Sequence, residues 1–286
     1  MIQLFRLKLS AMVSLATAAG YVLVPGAQDL GTGLQTCVGV FLLSAGCSAL
    51  NQVQERNSDR LQVRTCQRPL ARESLSPQQG LWLAIGAMTM GLTALAWLPT
   101  LLPLLLGLSA LLIYNVVYTP LKKLTPFALL PGSLAGATPA VIGWSAAGGQ
   151  LLDYRIVVVA GLFVLWQIPH SWFLSLRYPA DVRISPLAHI LKELSPRQVL
   201  RLAQIWIVCL GLGALLLVGF GIVSQPWVRI AISILVCSVL GFSLVLTGHS
   251  DNSTTANRLF LCLNGFMAGM ILCLITEGIV AASLSC

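Results

Sequence analysis

Apolar residues run in stretches of about 17 to 22, the length that crosses a hydrocarbon core about 30 Å thick, and polar residues collect between them. Nine such stretches stand out, at 9–26, 34–50, 81–99, 101–119, 126–145, 156–176, 203–223, 228–247 and 259–282. A backbone in lipid must satisfy its amides within its own segment, so long runs rich in Leu, Ala and Gly predict helices rather than barrel strands. The expected fold is an all-α polytopic membrane bundle, one transmembrane domain over residues 1–286. The first stretch follows Arg6 and Lys8 and could imitate a secretory signal. No clear small-residue cleavage site follows it and eight more spans do, so it reads as a retained first helix.

Composition sharpens this. The chain is 57% hydrophobic and 9% charged, against about 25% charged in soluble domains, and its mean hydropathy is +0.86. A soluble fold is excluded. The eight cysteines fall singly with no Cys-x-x-Cys pair, which indicates neither a disulfide framework nor a zinc site.

The net charge of +8 raises nucleic acid as a partner until the cations are sorted by loop. Arg155 and Arg229 lie on one side of the nine spans and the other 15 of 17 Lys and Arg on the opposite side. That asymmetry is the positive-inside pattern. It predicts a multi-pass protein of a bacterial inner membrane with a cytoplasmic N-terminus, an outside C-terminus, membrane lipids as partners and no nucleic acid.

On the basic side, Asn51, Glu55 and Asp59 are each four residues apart. On a helix continuing from the second span they stack on one face, offset by about 40° per step. Mg²⁺ is a hard cation that takes carboxylate and amide oxygens together with substrate phosphates, so such a ladder suits a bridged diphosphate. Arg56, Arg60, Arg64, Arg68 and Arg72 keep the same period one position along, with Pro69 expected to end the helix. A surface helix end laced with Glu-Arg and Asp-Arg pairs explains the same spacing equally well.

Tyr118, Lys122 and Lys123 close the fourth span at the same level, as diphosphate-side groups or as an aromatic belt with a topology signal. In the sixth span Trp166-Gln167-Ile168-Pro169-His170-Ser171-Trp172 is unusually polar for lipid. His170 could be an interhelical hydrogen-bond partner, an acid or base, or an iron ligand. Arg177, Asp181 and Arg183 follow as a second charged cluster, in which Asp181 could complete metal coordination. Glu277 in the ninth span needs a partner, a purpose or water. Phosphate-loop, zincin and nucleophile-elbow motifs are absent.

The run Ser48 to Asp59, continuing through Arg64-Thr65 and Arg68-Pro69-Leu70, resembles the first motif of the UbiA-type prenyltransferase superfamily, in its heme O synthase branch. Tyr118 to Lys122, Gly132 to Pro139, Gly143-Trp144 and Trp166 to His170 match that branch in order and spacing, so the likeness covers roughly residues 35 to 180. It implies Mg²⁺ and farnesyl diphosphate held by Asn51, Glu55 and Asp59. It further implies phosphate charge neutralised by Arg64, Arg68 and Lys122, with Tyr118 near the prenyl C1 carbon. The acceptor it implies is a vinyl group of heme B, contacted by His170 with Trp166 and Trp172. The implied downstream partners are heme A synthase or heme-copper oxidase assembly.

The chain departs from that pattern at three places. Glu55 stands where the branch has Asp, Ala180-Asp181-Val182 and Ile184-Ser185-Pro186-Leu187 replace Asp-Asp-Tyr and Gly-x-Pro-Met-Leu, and Lys8-Leu9 replaces Lys-Pro. Two other readings therefore stay open: a related enzyme with a quinone-precursor, chlorin or lipid-alcohol acceptor, and a non-enzymatic heme-handling or transport protein on the same fold.

Overall fold

A computed structural model describes residues 2–26, 29–184, 192–246 and 252–284, and those residues form helices without any strand. Nine helical segments among them are long and apolar enough to span a membrane: Ile2–Val22, Leu30–Leu61, Pro77–Ala96, Leu102–Leu121, Pro126–Ala146, Tyr154–Arg177, Pro196–Gly219, Pro226–Val245 and Thr254–Ser283. All nine expected spans are present in order. The largest differences lie at polar ends, where helices outrun the apolar stretch. Two of the starts are fixed by capping boxes, Ser76 with Gln79 and Ser195 with Gln198, each followed by a proline at the first helical position.

The first span is α1 (Ile2–Phe5) and α2 (Leu7–Val22), broken at Arg6. Then come α3 (Leu30–Leu61), α4 (Pro77–Ala96) and α5 (Leu102–Leu111), which runs through a π-helical stretch, Leu112–Tyr118, into α6 (Thr119–Leu121). The rest are α7 (Leu129–Ala146), α8 (Tyr154–Arg177), α9 (Pro179–Ile184), α10 (Pro196–Gly219), α11 (Pro226–Leu246) and α12 (Asn252–Leu284). One buried cluster joins α1, α3 and α4 with Ile142 of α7 and has α5 packed against it, and a larger one joins α2, α7, α8, α10, α11 and α12. Leu34, Val38, Leu105, Leu212, Ile234 and Leu272 face outward, as helices solvated by lipid require.

Between lipid-solvated helices close packing replaces the hydrophobic effect as the glue. The α2–α7 contact shows how. A Cβ at Gly20 would run into the Ala140 carbonyl, and one at Gly143 into that of Thr17, so these glycines let the two backbones touch.

Glu277 is not left to water as an outer-end carboxylate could be. It is buried on α12 and accepts from Ser224 N at 2.7 Å, Ser224 Oγ at 2.6 Å and Gln225 N at 3.2 Å, fastening the start of α11. Glu277→Leu would orphan those amides at a cost of about 1–3 kcal/mol. A lower thermal unfolding midpoint with unchanged substrate affinity is expected, and an unchanged midpoint would count against this role.

Candidate active site

Asn51, Glu55 and Asp59 occupy one buried face of α3, each at most 5% exposed. Helical spacing therefore aligns them as expected. The arginine row does not extend as expected, because α3 ends at Leu61 rather than at Pro69. Gln62 turns to extended backbone (φ −100°, ψ 130°), and Thr65 Oγ1 donates to the Asp59 carbonyl at 3.1 Å, closing the helix end. The cause is also tertiary. Asp181 of α9 accepts from Val63 N at 2.6 Å and Arg64 N at 3.2 Å, drawing the chain off the helix.

The segment after α3 folds back over the ladder. Leu70, 2% exposed, anchors it in the core, and Arg68 Nη1 reaches the two Asp59 carboxylate oxygens at 3.0 and 2.7 Å. Directly after α6, Lys122 Nζ lies 2.7 Å from Glu55 Oε1, close enough for an ion pair yet outside hydrogen-bond angles, so that buried oxygen keeps unmet acceptor capacity. The acids thus pair with distant segments, while Arg60 pairs with Glu73 and Arg56 bonds the Val53 carbonyl. The bland helix-end ladder is not formed among the described residues.

The π-helical stretch sets the facing wall. Pro120 has no N–H to donate and its ring would crowd the carbonyl four residues back, and a wider turn there relieves both. Thr119 Oγ1 donates to the Tyr114 carbonyl at 2.8 Å and so must accept from Asn51 Nδ2 at 3.1 Å, which turns the Asn51 side-chain oxygen away from it. Tyr118 stacks on Tyr114 with ring centroids 5.6 Å apart, and Lys122 Nζ stands 4.9 Å from the Tyr118 ring. Gly132 on α7 gives that ring its room, since a Cβ there would lie 2.9 Å from it.

Arg6 is a site group that the sequence pattern presents only as a basic flank of the first span. Arg6 adopts left-handed backbone (φ 46°, ψ 51°) at the α1–α2 break. Buried Gln52 holds that break by donating to the carbonyls of Gln3 at 2.9 Å and Leu4 at 2.8 Å. From there the Arg6 charge acts on Arg64, Tyr114 and Tyr118. The Arg64 guanidinium is reachable from outside yet hemmed in by protein. That desolvation, with Arg68 and Arg6 alongside, lowers its pKa against the opposing pull of Asp59 and Asp181. Arg6, Arg64, Arg68 and Lys122 outnumber Glu55, Asp59 and Asp181, so the mouth favours an anion.

Other expected groups are placed differently. Lys123 is exposed beside Lys122. His170 and Trp166 share a face of α8 toward α12, with rings 4.6 Å apart. Trp172 is not with them. Two residues on is about 200° around a helix, and it packs edge-on against Trp206 of α10. The Arg183 side chain and Ser185-Pro186-Leu187 lie outside the described residues.

Hard oxygens from Asn51, Glu55 and Asp59, one of them short of partners, fit Mg²⁺. No cluster of three or more His, Cys, Asp or Glu exists among the described residues. A metal here would therefore be shared with substrate phosphate rather than caged by protein. Asp181 has both oxygens on backbone amides, which tie α9 to the 63–64 turn.

The sequence profile of the UbiA prenyltransferase family matches residues 12–268. The chain is 40% identical over 278 residues to a protein named protoheme IX farnesyltransferase from Geobacter sulfurreducens, covering 95% of this chain and 97% of the relative. Its fold is similar to that of a solved digeranylgeranylglyceryl phosphate synthase, with a TM-score of 0.77 over 97% of both chains at 16% identity. It is also similar to a UbiA homolog from Archaeoglobus fulgidus bound to GPP and Mg2+, with a TM-score of 0.67 over 99% of both chains at 16% identity.

Proposed function

The chain belongs to the UbiA prenyltransferase family, and from that premise we propose that it transfers a farnesyl group from farnesyl diphosphate to heme B, forming heme O. The donor half rests on one observation: Glu55 paired with Lys122 and Asp59 with Arg68, buried at the bundle mouth beside Tyr118. The acceptor half rests on the relatives' name and on the face that carries His170.

Asn51, Glu55 and Asp59 would hold Mg²⁺, which when bound neutralises charge on the diphosphate. Arg68 and Lys122 sit on the carboxylates and are placed to shift onto phosphate oxygens, with Arg64 and Arg6 adding positive potential. The allylic C1–O bond breaks and diphosphate leaves with the electron pair. The Tyr118 ring, packed on Tyr114, shields the allylic carbon from water. The vinyl group of heme B bonds to C1, water adds to the resulting cation, and a proton is lost, leaving a hydroxyethylfarnesyl substituent.

Asp181 serves this site by latching the 63–64 turn over it. The basic mouth faces the cytoplasm of a bacterial inner membrane, the chain works as one domain, and its product passes to heme A synthase or oxidase assembly. A second acceptor class, a quinone precursor, chlorin or lipid alcohol, is favoured by the single acidic residue of the Asp181 segment.

Purified protein in lipid nanodiscs with farnesyl diphosphate, heme B and Mg²⁺ should yield heme O by mass spectrometry, and chelator should stop it. Diphosphate release with a different prenylated acceptor would move the assignment to the second class.

A further inference from the structure

We infer that Asn264 on α12 is a positioning residue that fixes the tautomer of His170 and leaves its Nε2 lone pair to bind the iron of the heme acceptor. The inference rests on the heme reading proposed above and deepens it. His170 Nδ1 is 3.0 Å from Asn264 Oδ1. The Asn264 amide has its orientation set elsewhere, because Nδ2 donates to the Phe260 carbonyl one helical turn back at 2.6 Å. An amide oxygen can only accept, so the proton between the two side chains belongs to Nδ1. In a neutral imidazole the other nitrogen then carries the lone pair, and Nε2 has no partner among the described residues.

The surroundings suit a flat aromatic ligand with acid groups. The imidazole packs against both Trp166, with centroids 4.6 Å apart, and Phe260, at 4.9 Å. The Trp166 indole N–H is buried without a hydrogen-bond partner, a polar group for which the protein supplies no match. The Arg177 guanidinium carbon stands 5.6 Å from the centroid of the same Phe260 ring and 5.3 Å from that of Tyr178. It is seven residues beyond His170, about 10 Å along α8. A porphyrin carries its carboxylates along one edge, so ligation through His170 can direct that edge toward Arg177. An outer partner that fixes a metal-binding histidine is worth about 10- to 100-fold in metal affinity.

The test uses full-length protein in nanodiscs titrated with ferric heme B, read by absorption and electron paramagnetic resonance. A histidine-ligated spectrum is expected, lost in His170→Gln. Asn264→Leu should bind heme about 10- to 100-fold more weakly and lose the ligated signature, with its thermal midpoint and farnesyl diphosphate affinity kept. Asn264→Asp, which still accepts from Nδ1, should restore ligation. An unchanged signature in Asn264→Leu overturns the inference. So does a wild-type protein that makes heme O without any histidine-ligated spectrum, and that result leaves the proposed activity standing. Ligation through His170 that depends on Asn264, in a protein that prenylates no heme, supports the inference and sinks the activity instead.

Discussion

Asp59→Asn is expected to lower prenyl transfer by at least about 10²- to 10³-fold, the loss seen when one preorganised charged or polar group is removed from a reacting centre. The isostere keeps the shape of the α3 face and one acceptor for Arg68, which now reaches the two carboxylate oxygens at 3.0 and 2.7 Å. Folding should therefore change little, and a thermal melt within a few degrees of wild type would separate chemistry from collapse. Asp59→Ala is a harsher change, because it strands the largely buried Arg68 cation, and breaking such a pair costs about 3–5 kcal/mol. If Asn at 59 turned over at the wild-type rate across a Mg²⁺ titration, the metal-diphosphate assignment of this ladder would fail.

The ladder was legible because its cause is local. Residues four apart share a face of any helix, and three oxygen-bearing side chains at that spacing are visible in the sequence itself. What pairs with them was not. Arg68 meets Asp59 through a fold-back that depends on the Asp181 carboxylate, on an element 118 residues away in sequence from Val63. No periodicity carries that information. The arginine period runs on in the sequence past Leu61, where the chain has already left the helix. Arg6 was hidden for a similar reason. Its place at the mouth comes from a left-handed residue at a helix break and from Gln52 bonding the end of α1, both tertiary facts.

Other misses were readable. Trp172 lies two residues from His170, and helical geometry alone puts it on nearly the opposite side, where the structure packs it on Trp206. Pro120 near the end of an apolar run was a cue that the preceding turn could not be ordinary α-helix. The π-helical stretch there sets Tyr118 against Tyr114 and aims Lys122 at Glu55. The nine spans needed no such help, because lipid imposes length and apolarity on each one separately.

Lys122→Met should separate two quantities that normally move together. Lys122 now sits 2.7 Å from Glu55 Oε1, so its ammonium competes with any cation for that carboxylate. Removing it leaves Glu55 and Asp59 as neighbouring acids with one counter-ion fewer, and Mg²⁺ should bind at a lower half-saturating concentration. Turnover should nonetheless fall by about 10²- to 10³-fold, because the departing diphosphate loses a donor that strengthens as charge develops. The Tyr118 ring also loses the cation 4.9 Å from its centre, which held its wall of the site in place. Tighter metal with slower chemistry is not what a simply misfolded mouth gives, since that weakens both. Lys122→Arg should recover part of the rate, because it restores the charge but not the compact geometry of an ammonium. Weaker Mg²⁺ binding in the Met variant would mean that Lys122 holds the ladder in shape rather than waiting on it for phosphate.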